Sequence, residues 1–187
     1  MKLIKLLPVF CIYLLGLIYL SLPQPETPVV VGGLRSQEPG DTHQNFDQSA
    51  YFTQKERQQV LSEIQSDFTL NFQGIKLPSF RLNYRPEESQ TLVREQIQSY
   101  YLEEIIHPLR ESLFVNGWEP QNSPIYADIP EKKKPRIQIE GQFYRSKVIL
   151  KPIFSPLWAR LFVWALIFPS IYLVFLSIKK TYNIYHE

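Results

Sequence analysis

Cysteine is almost missing from this chain: Cys11 stands alone, so no disulfide framework holds the fold. Histidine is scarce as well, with His43, His107 and His186 spread over the whole length, too few for a histidine-built metal cage. Neither sign of charge dominates. Twenty Lys and Arg stand against 18 Asp and Glu, a net charge of +2, which excludes the broad basic field of a nucleic-acid-binding protein. There is no Gly-rich phosphate loop, no G-x-S-x-G elbow and no H-E-x-x-H pair. The expectation is therefore no catalytic residue, no metal site, no cofactor and no nucleic-acid partner.

What the chain does have is apolar content gathered at its two ends. Residues 3–22, LIKLLPVFCIYLLGLIYLSL, carry one charge, Lys5, and as a helix would be about 30 Å long, the thickness of a hydrocarbon core. Residues 157–178, LWARLFVWALIFPSIYLVFLSI, carry only Arg160, placed to snorkel to the headgroups, with Trp158 at the same end. Pro169 predicts a bend. Both blocks are read as transmembrane helices, so the lipid bilayer is the first expected partner. The first block also has the basic start of a signal peptide, but Ile18-Tyr19-Leu20-Ser21-Leu22-Pro23 offers no small-x-small cleavage site, which favours an uncleaved anchor. Gly16 has no small partner four residues away, so the spans give no argument for tight helix pairing. Lys2 and Lys5 before the first span, and Lys179 and Lys180 after the second, place both termini on the cytoplasmic side. The central domain is then extracytoplasmic, in a plasma, bacterial inner or thylakoid-type membrane, and residues 179–187 form a short cytoplasmic tail.

Residues 23–51 hold four prolines and three glycines up to Ala50 with no amphipathic period, and read as a tether. Residues 52–153 read as a small α+β domain: a three-to-five-stranded, mostly antiparallel sheet covered by two helices and flanked by the two membrane helices. One helix is expected from about Gln54 to Asp67, with Thr53 and Glu56 as a capping box and Val60, Leu61, Ile64 and Phe68 on one face. A second is expected from about Glu88 to Asn116, because Val93, Ile97, Tyr101, Ile105, Leu109 and Leu113 recur every four residues; Pro108 would bend it and Gly117 stop it. Strands are expected at Thr69–Phe72, Ile75–Leu77, Phe80–Tyr84 and Ile125–Ile129. A hairpin of Arg136–Glu140 with Phe143–Lys151 would turn at Gly141-Gln142, and Pro78 suggests an edge position.

Charge is distributed unevenly. From Glu131 to Arg160 there are eight basic residues against two acids, whereas from Gln37 to Glu111 there are twelve acids against seven bases. Lys132, Lys133, Lys134, Arg136, Arg145 and Lys147 are thus candidates for contact with anionic headgroups or an acidic partner; the plainer alternative is a solvated loop and outward-facing strand residues. Tyr100, Trp118 and Tyr144 are candidate interface aromatics, since consecutive rings such as Tyr100-Tyr101 and Phe143-Tyr144 point to different faces. Glu103, Glu104 and His107 fall close together, but read more simply as a helix-surface ion pair than as acid–base machinery.

Three functions are compatible with these features. The leading one is a non-enzymatic two-pass membrane protein whose exported domain is a protein-interaction or assembly module of a membrane complex. The second is an extracytoplasmic ligand-binding or sensory domain that signals through partner subunits, since the tail is too short for an output domain. The third is an envelope hydrolase with scattered catalytic residues and His107 as its base.

Overall fold

A computed structural model describes residues 2–41, 47–85 and 100–186. The protein is α+β, with a six-stranded antiparallel sheet and three helices among the described residues. It divides into two units: residues 24–154, and the chain ends, residues 1–23 with 155–187.

In the first unit the main sheet runs in the order β1 (Leu34–Arg35), β2 (Ser49–Thr53), β10 (Ser146–Ile153), β7 (Ser112–Trp118), β6 (Tyr101–Ile106) and β5 (Phe80–Tyr84), every neighbour antiparallel. Two small hairpins stand apart from it, β3 (Leu70–Phe72) with β4 (Ile75–Leu77), and β8 (Ile137–Ile139) with β9 (Gln142–Tyr144). Each turns through two residues of positive φ, Gln73-Gly74 and Glu140-Gly141, the geometry whose twist matches that of paired strands. The second hairpin therefore turns one residue earlier than expected. Its distal arm also ends at Tyr144, because Arg145 breaks the run and β10 continues into the main sheet. The segment Pro124–Tyr126 is a 3₁₀ turn where a short strand was expected.

Helix α2 (Arg57–Asp67) covers one face of this sheet. Its Val60, Leu61 and Ile64, with Phe68 at its end, bury against Tyr51, Tyr101, Ile105, Leu113, Val115, Val148 and Leu150. The alternate residues Ala50, Leu102, Phe114 and Ile149 form a second cluster on the opposite face. The helix starts later than the capping pattern predicts. Thr53 is the last residue of β2 and its hydroxyl accepts the Lys55 N–H (3.2 Å), so the N-cap falls to Glu56, whose own N–H donates to Gln59 Oε1 (3.1 Å).

The expected long helix is corrected. Residues 101–118 form the β6–β7 hairpin, and residues 88–99 lie outside the described residues. Pro108 cannot donate a helical hydrogen bond, and Leu109 sits at a φ of +62°, so the chain reverses there; His107 N–H donates to Glu111 O (2.9 Å). Tyr101 lies opposite Gly117 in the register, and a Cβ at Gly117 would come within 2.0 Å of the Tyr101 ring. Gly117→Ala should accordingly cost about 1–3 kcal/mol, the usual cost of overpacking a core. A urea-denaturation midpoint unchanged from wild type would refute this.

The tether also differs from expectation. Val30 is buried in the core, β1 pairs with β2, and Pro39–Asp41 forms a 3₁₀ turn. Ser36 Oγ donates to Asp41 Oδ2 (2.5 Å), and Lys147 binds both Asp41 and Glu38 at 2.8 Å. A Pro/Gly-rich segment without periodicity is thus fixed by side-chain pairs with a distant strand.

In the second unit α1 (Lys2–Ser21) and α3 (Leu157–His186) pack antiparallel. Trp164 fills the space left by Gly16, its indole N–H donates to Tyr13 O (3.1 Å), and Phe168 meets Tyr13 edge-on at 5.2 Å. Pairing thus rests on one glycine and one indole, with no small-residue repeat. Arg160 does not snorkel. It is buried and donates to the carbonyls of Ser155 (2.9 and 2.7 Å) and Leu20 (3.4 Å), the last at the negative end of α1. Among the described residues one helical stretch is long and apolar enough to cross a membrane, the 26 residues Leu157–Tyr182; the apolar part of α1, Leu7–Ser21, is shorter. The expectation of two flanking spans is to that extent reduced to one.

Candidate functional site

The residues between β7 and β10 build a recess of about 930 Å³. One wall is the loop 120–122, a second the stretch 129–137 and a third the end of β9 with Arg145. Two links hold the walls together: Lys134 Nζ donates to Gln121 O (2.8 Å), and Gln121 Nε2 to Pro135 O (3.4 Å). Opposite them, Gln54 Nε2 donates to the carbonyl of Phe143, tying β9 to the loop before α2.

Of the six basic residues singled out in the sequence, four line this recess: Lys132, Lys134, Arg136 and Arg145. Glu131 is the single acid among its lining residues. The Arg136 guanidinium lies over the Phe143 ring at 5.9 Å, and Arg145 pairs with Glu56 at 2.9 Å, both groups part-exposed. Among the described residues Lys132 and Arg136 have no carboxylate partner.

The other two basic candidates lie elsewhere. Lys133 is exposed on the 3₁₀ turn Glu131–Lys133, outside the recess. Lys147 is committed internally. Burial alone would lower its pKa, but hydrogen bonds to Asp41 and Glu38 outweigh that and raise it above the usual lysine value, so it stays charged as a structural tie. Of the three candidate aromatics only Tyr144 lines the recess, packed against Phe52 at 5.9 Å. Tyr100 packs on the core beside Tyr101, and Trp118 closes the end of β7. Gln54, Gln121, Asn122, Ile137 and Phe143 also contribute. Their only signal in the sequence was the aromatic pair at 143–144, since amides on two loops far apart in the chain share no spacing.

Of the carboxylates grouped with His107 in the sequence, neither Glu103 nor Glu104 pairs with it. Glu103 and Glu104 point to opposite faces of β6: Glu103 is buried and held by Arg57 and by Arg81 (3.1 Å), whereas Glu104 accepts the Tyr84 O–H (2.6 Å). His107 is fully buried in the turn, 5.1 Å from the Phe68 ring and with Nδ1 3.6 Å from Glu111. Burial first, and the neighbouring Arg110 second, lower its pKa from 6.5 to about 4. Tyr101, under the Arg57 guanidinium at 5.0 Å, has its phenol pushed up by burial and then by Glu119, and stays neutral.

No family model matches the chain, and neither a curated protein nor a solved structure does.

Proposed function

We propose that this chain is a two-pass membrane protein whose exported α+β domain is a non-enzymatic docking module within a membrane complex, with both termini cytoplasmic. The observation that carries the docking role is the recess itself: cations and aromatics from separate stretches of sequence face one open concavity. Supporting the two-pass arrangement, α1 lies antiparallel along α3, from Leu20 beside Arg160 to Tyr13 beside Phe168. The outward side chains of that pair, among them Phe10, Leu15, Phe162, Leu173 and Phe175, are exposed and apolar, as lipid contact requires.

The test is purification of the tagged full-length protein in mild detergent beside the double variant Lys132→Glu/Arg136→Glu and the control Lys133→Glu. A partner retained by wild type and the control but lost by the double variant supports docking through the recess. Equal recovery from all three rules that surface out. Tags at the two termini should both resist protease added to sealed, right-side-out vesicles; cleavage of one alone would remove the two-pass arrangement.

A further inference from the structure

We infer that the recess takes an extended acidic segment of a protein, whose carboxylates meet Lys132, Arg136 and Arg145 and whose backbone N–H groups meet amide oxygens on the walls. This rests on the docking role proposed above and gives the partner its chemistry.

Charge is the first observation. Lys132 and Arg136 face the recess without a carboxylate among the described residues, and Arg145 is held there only by Glu56. That carboxylate is more than half exposed and occupies the guanidinium that a ligand carboxylate would also seek. Glu56 is thus an internal competitor for Arg145.

Shape is the second. A planar membrane surface is met by protruding cations, whereas here the charges surround a concavity. Its 930 Å³ is at the upper end of the range that holds a single small molecule, and it has the apolar surface of Ile129, Ile137, Phe143 and Tyr144 to bury side chains.

Hydrogen bonding is the third. The side-chain nitrogens of Gln54, Gln121 and Asn122 are all engaged, donating to Phe143 O, Pro135 O and Glu119 Oε2 (2.9 Å). Each of these amide nitrogens keeps a second hydrogen, and Gln54 and Asn122 each also keep a carbonyl oxygen with no partner among the described residues. The oxygens need donors and the remaining N–H groups need acceptors; a peptide backbone supplies both, whereas a phosphodiester supplies acceptors alone. Acidic peptide is the chemistry that meets both the cations and the amide oxygens.

The experiment uses full-length protein in nanodiscs of phosphatidylcholine and a fluorescein-labelled, end-blocked peptide of alternating glutamate and leucine, read by anisotropy. Binding is expected, with the glutamine counterpart at least roughly tenfold weaker, since neutral amides forfeit the charge-assisted contacts to the cations. Lys132→Glu/Arg136→Glu should weaken binding by roughly tenfold or more, while Lys133→Glu, the same kind of charge change outside the recess, should leave it within about twofold. Glu56→Gln keeps an oxygen at the helix cap and frees Arg145, and should tighten binding severalfold. Glutamate and glutamine peptides binding alike, or Lys133→Glu matching the double variant, would overturn the inference. So would displacement of the peptide by inorganic phosphate, or by adding phosphatidylglycerol to the nanodiscs, which would assign the recess to phosphate or headgroup. If no peptide binds while partner recovery still depends on Lys132 and Arg136, the acidic chemistry fails and the docking role stands. If partner recovery ignores those residues, the docking role itself fails.

Discussion

Replacing Arg110 with methionine is expected to cost about 3–5 kcal/mol of folding stability, the range for breaking a buried ion pair from one side. Arg110 Nε lies 3.0 and 3.3 Å from the two carboxylate oxygens of Glu111, and both side chains are wholly enclosed. Without that donor Glu111 loses the guanidinium that meets both its oxygens in an enclosed turn, and His107, 3.6 Å away and neutral near pH 7, supplies no replacing charge. Removing the charge pair together is a different matter: Arg110→Met/Glu111→Leu should recover most of the loss, because the two desolvation costs disappear with the attraction. Pulse proteolysis of full-length protein in detergent across a urea series measures both. A single variant within about 1 kcal/mol of wild type would mean that the turn is hydrated and the pair is not what holds it.

Acidification is expected to weaken the fold through His107. The unfolded imidazole takes up a proton near its ordinary 6.5, but the folded one does so only near 4, chiefly because burial opposes the charge. Between those values the unfolded chain binds more protons, so the contribution is complete above about pH 6.5, declines as pH falls through the window and is gone below about pH 4. The difference between the two pKa values corresponds to about 3 kcal/mol. His107→Gln cannot titrate, so its stability should vary less between pH 7 and pH 5 than that of wild type. Carboxylates elsewhere affect both proteins equally, and the difference profile isolates the histidine. Parallel profiles for the two proteins would remove His107 as the cause. The variant Arg110→Met links the two predictions, because losing the neighbouring cation should raise the lower edge of the His107 window and so narrow it.

How far the fold was legible depended on whether the relevant signal lay in consecutive residues. Phe80–Tyr84 alternates and is a strand with the boundaries expected; Gly74 and Gly141 mark two hairpins; Val148-Ile149-Leu150, apolar on both faces, is the middle of a strand between β2 and β7. The stretch from Tyr101 to Leu113 misled because its strands bury both faces. Tyr101-Leu102, Ile105-Ile106, Leu109 and Leu113 recur every four residues like a helical stripe, while Glu103 is buried through its arginine partners, and only the pairing of Tyr101 with Gly117 and of Ile105 with Leu113 shows strands. Pro108 marked the break correctly but was read as a bend in a helix.

The candidate site shows the same division. A basic cluster near residues 132–147 was visible as composition, and so were the aromatic neighbours at 143–144. Composition does not say which charges are already neutralised. Lys147 is taken up by Glu38 and Asp41, more than a hundred residues away along the chain, while Lys132 and Arg136 face open space.

The sequence by itself determined the apolar blocks at both ends, the lack of a disulfide framework, the α+β class and the two glycine-marked hairpins at Gly74 and Gly141, because each follows from local composition, spacing or backbone preference. The tertiary structure decided that residues 101–118 are paired strands, that the Pro/Gly-rich segment packs on the domain, and which four of six cations share a recess. Those outcomes depend on partners far apart in the chain, where burial and charge pairing are set by geometry that no local window contains.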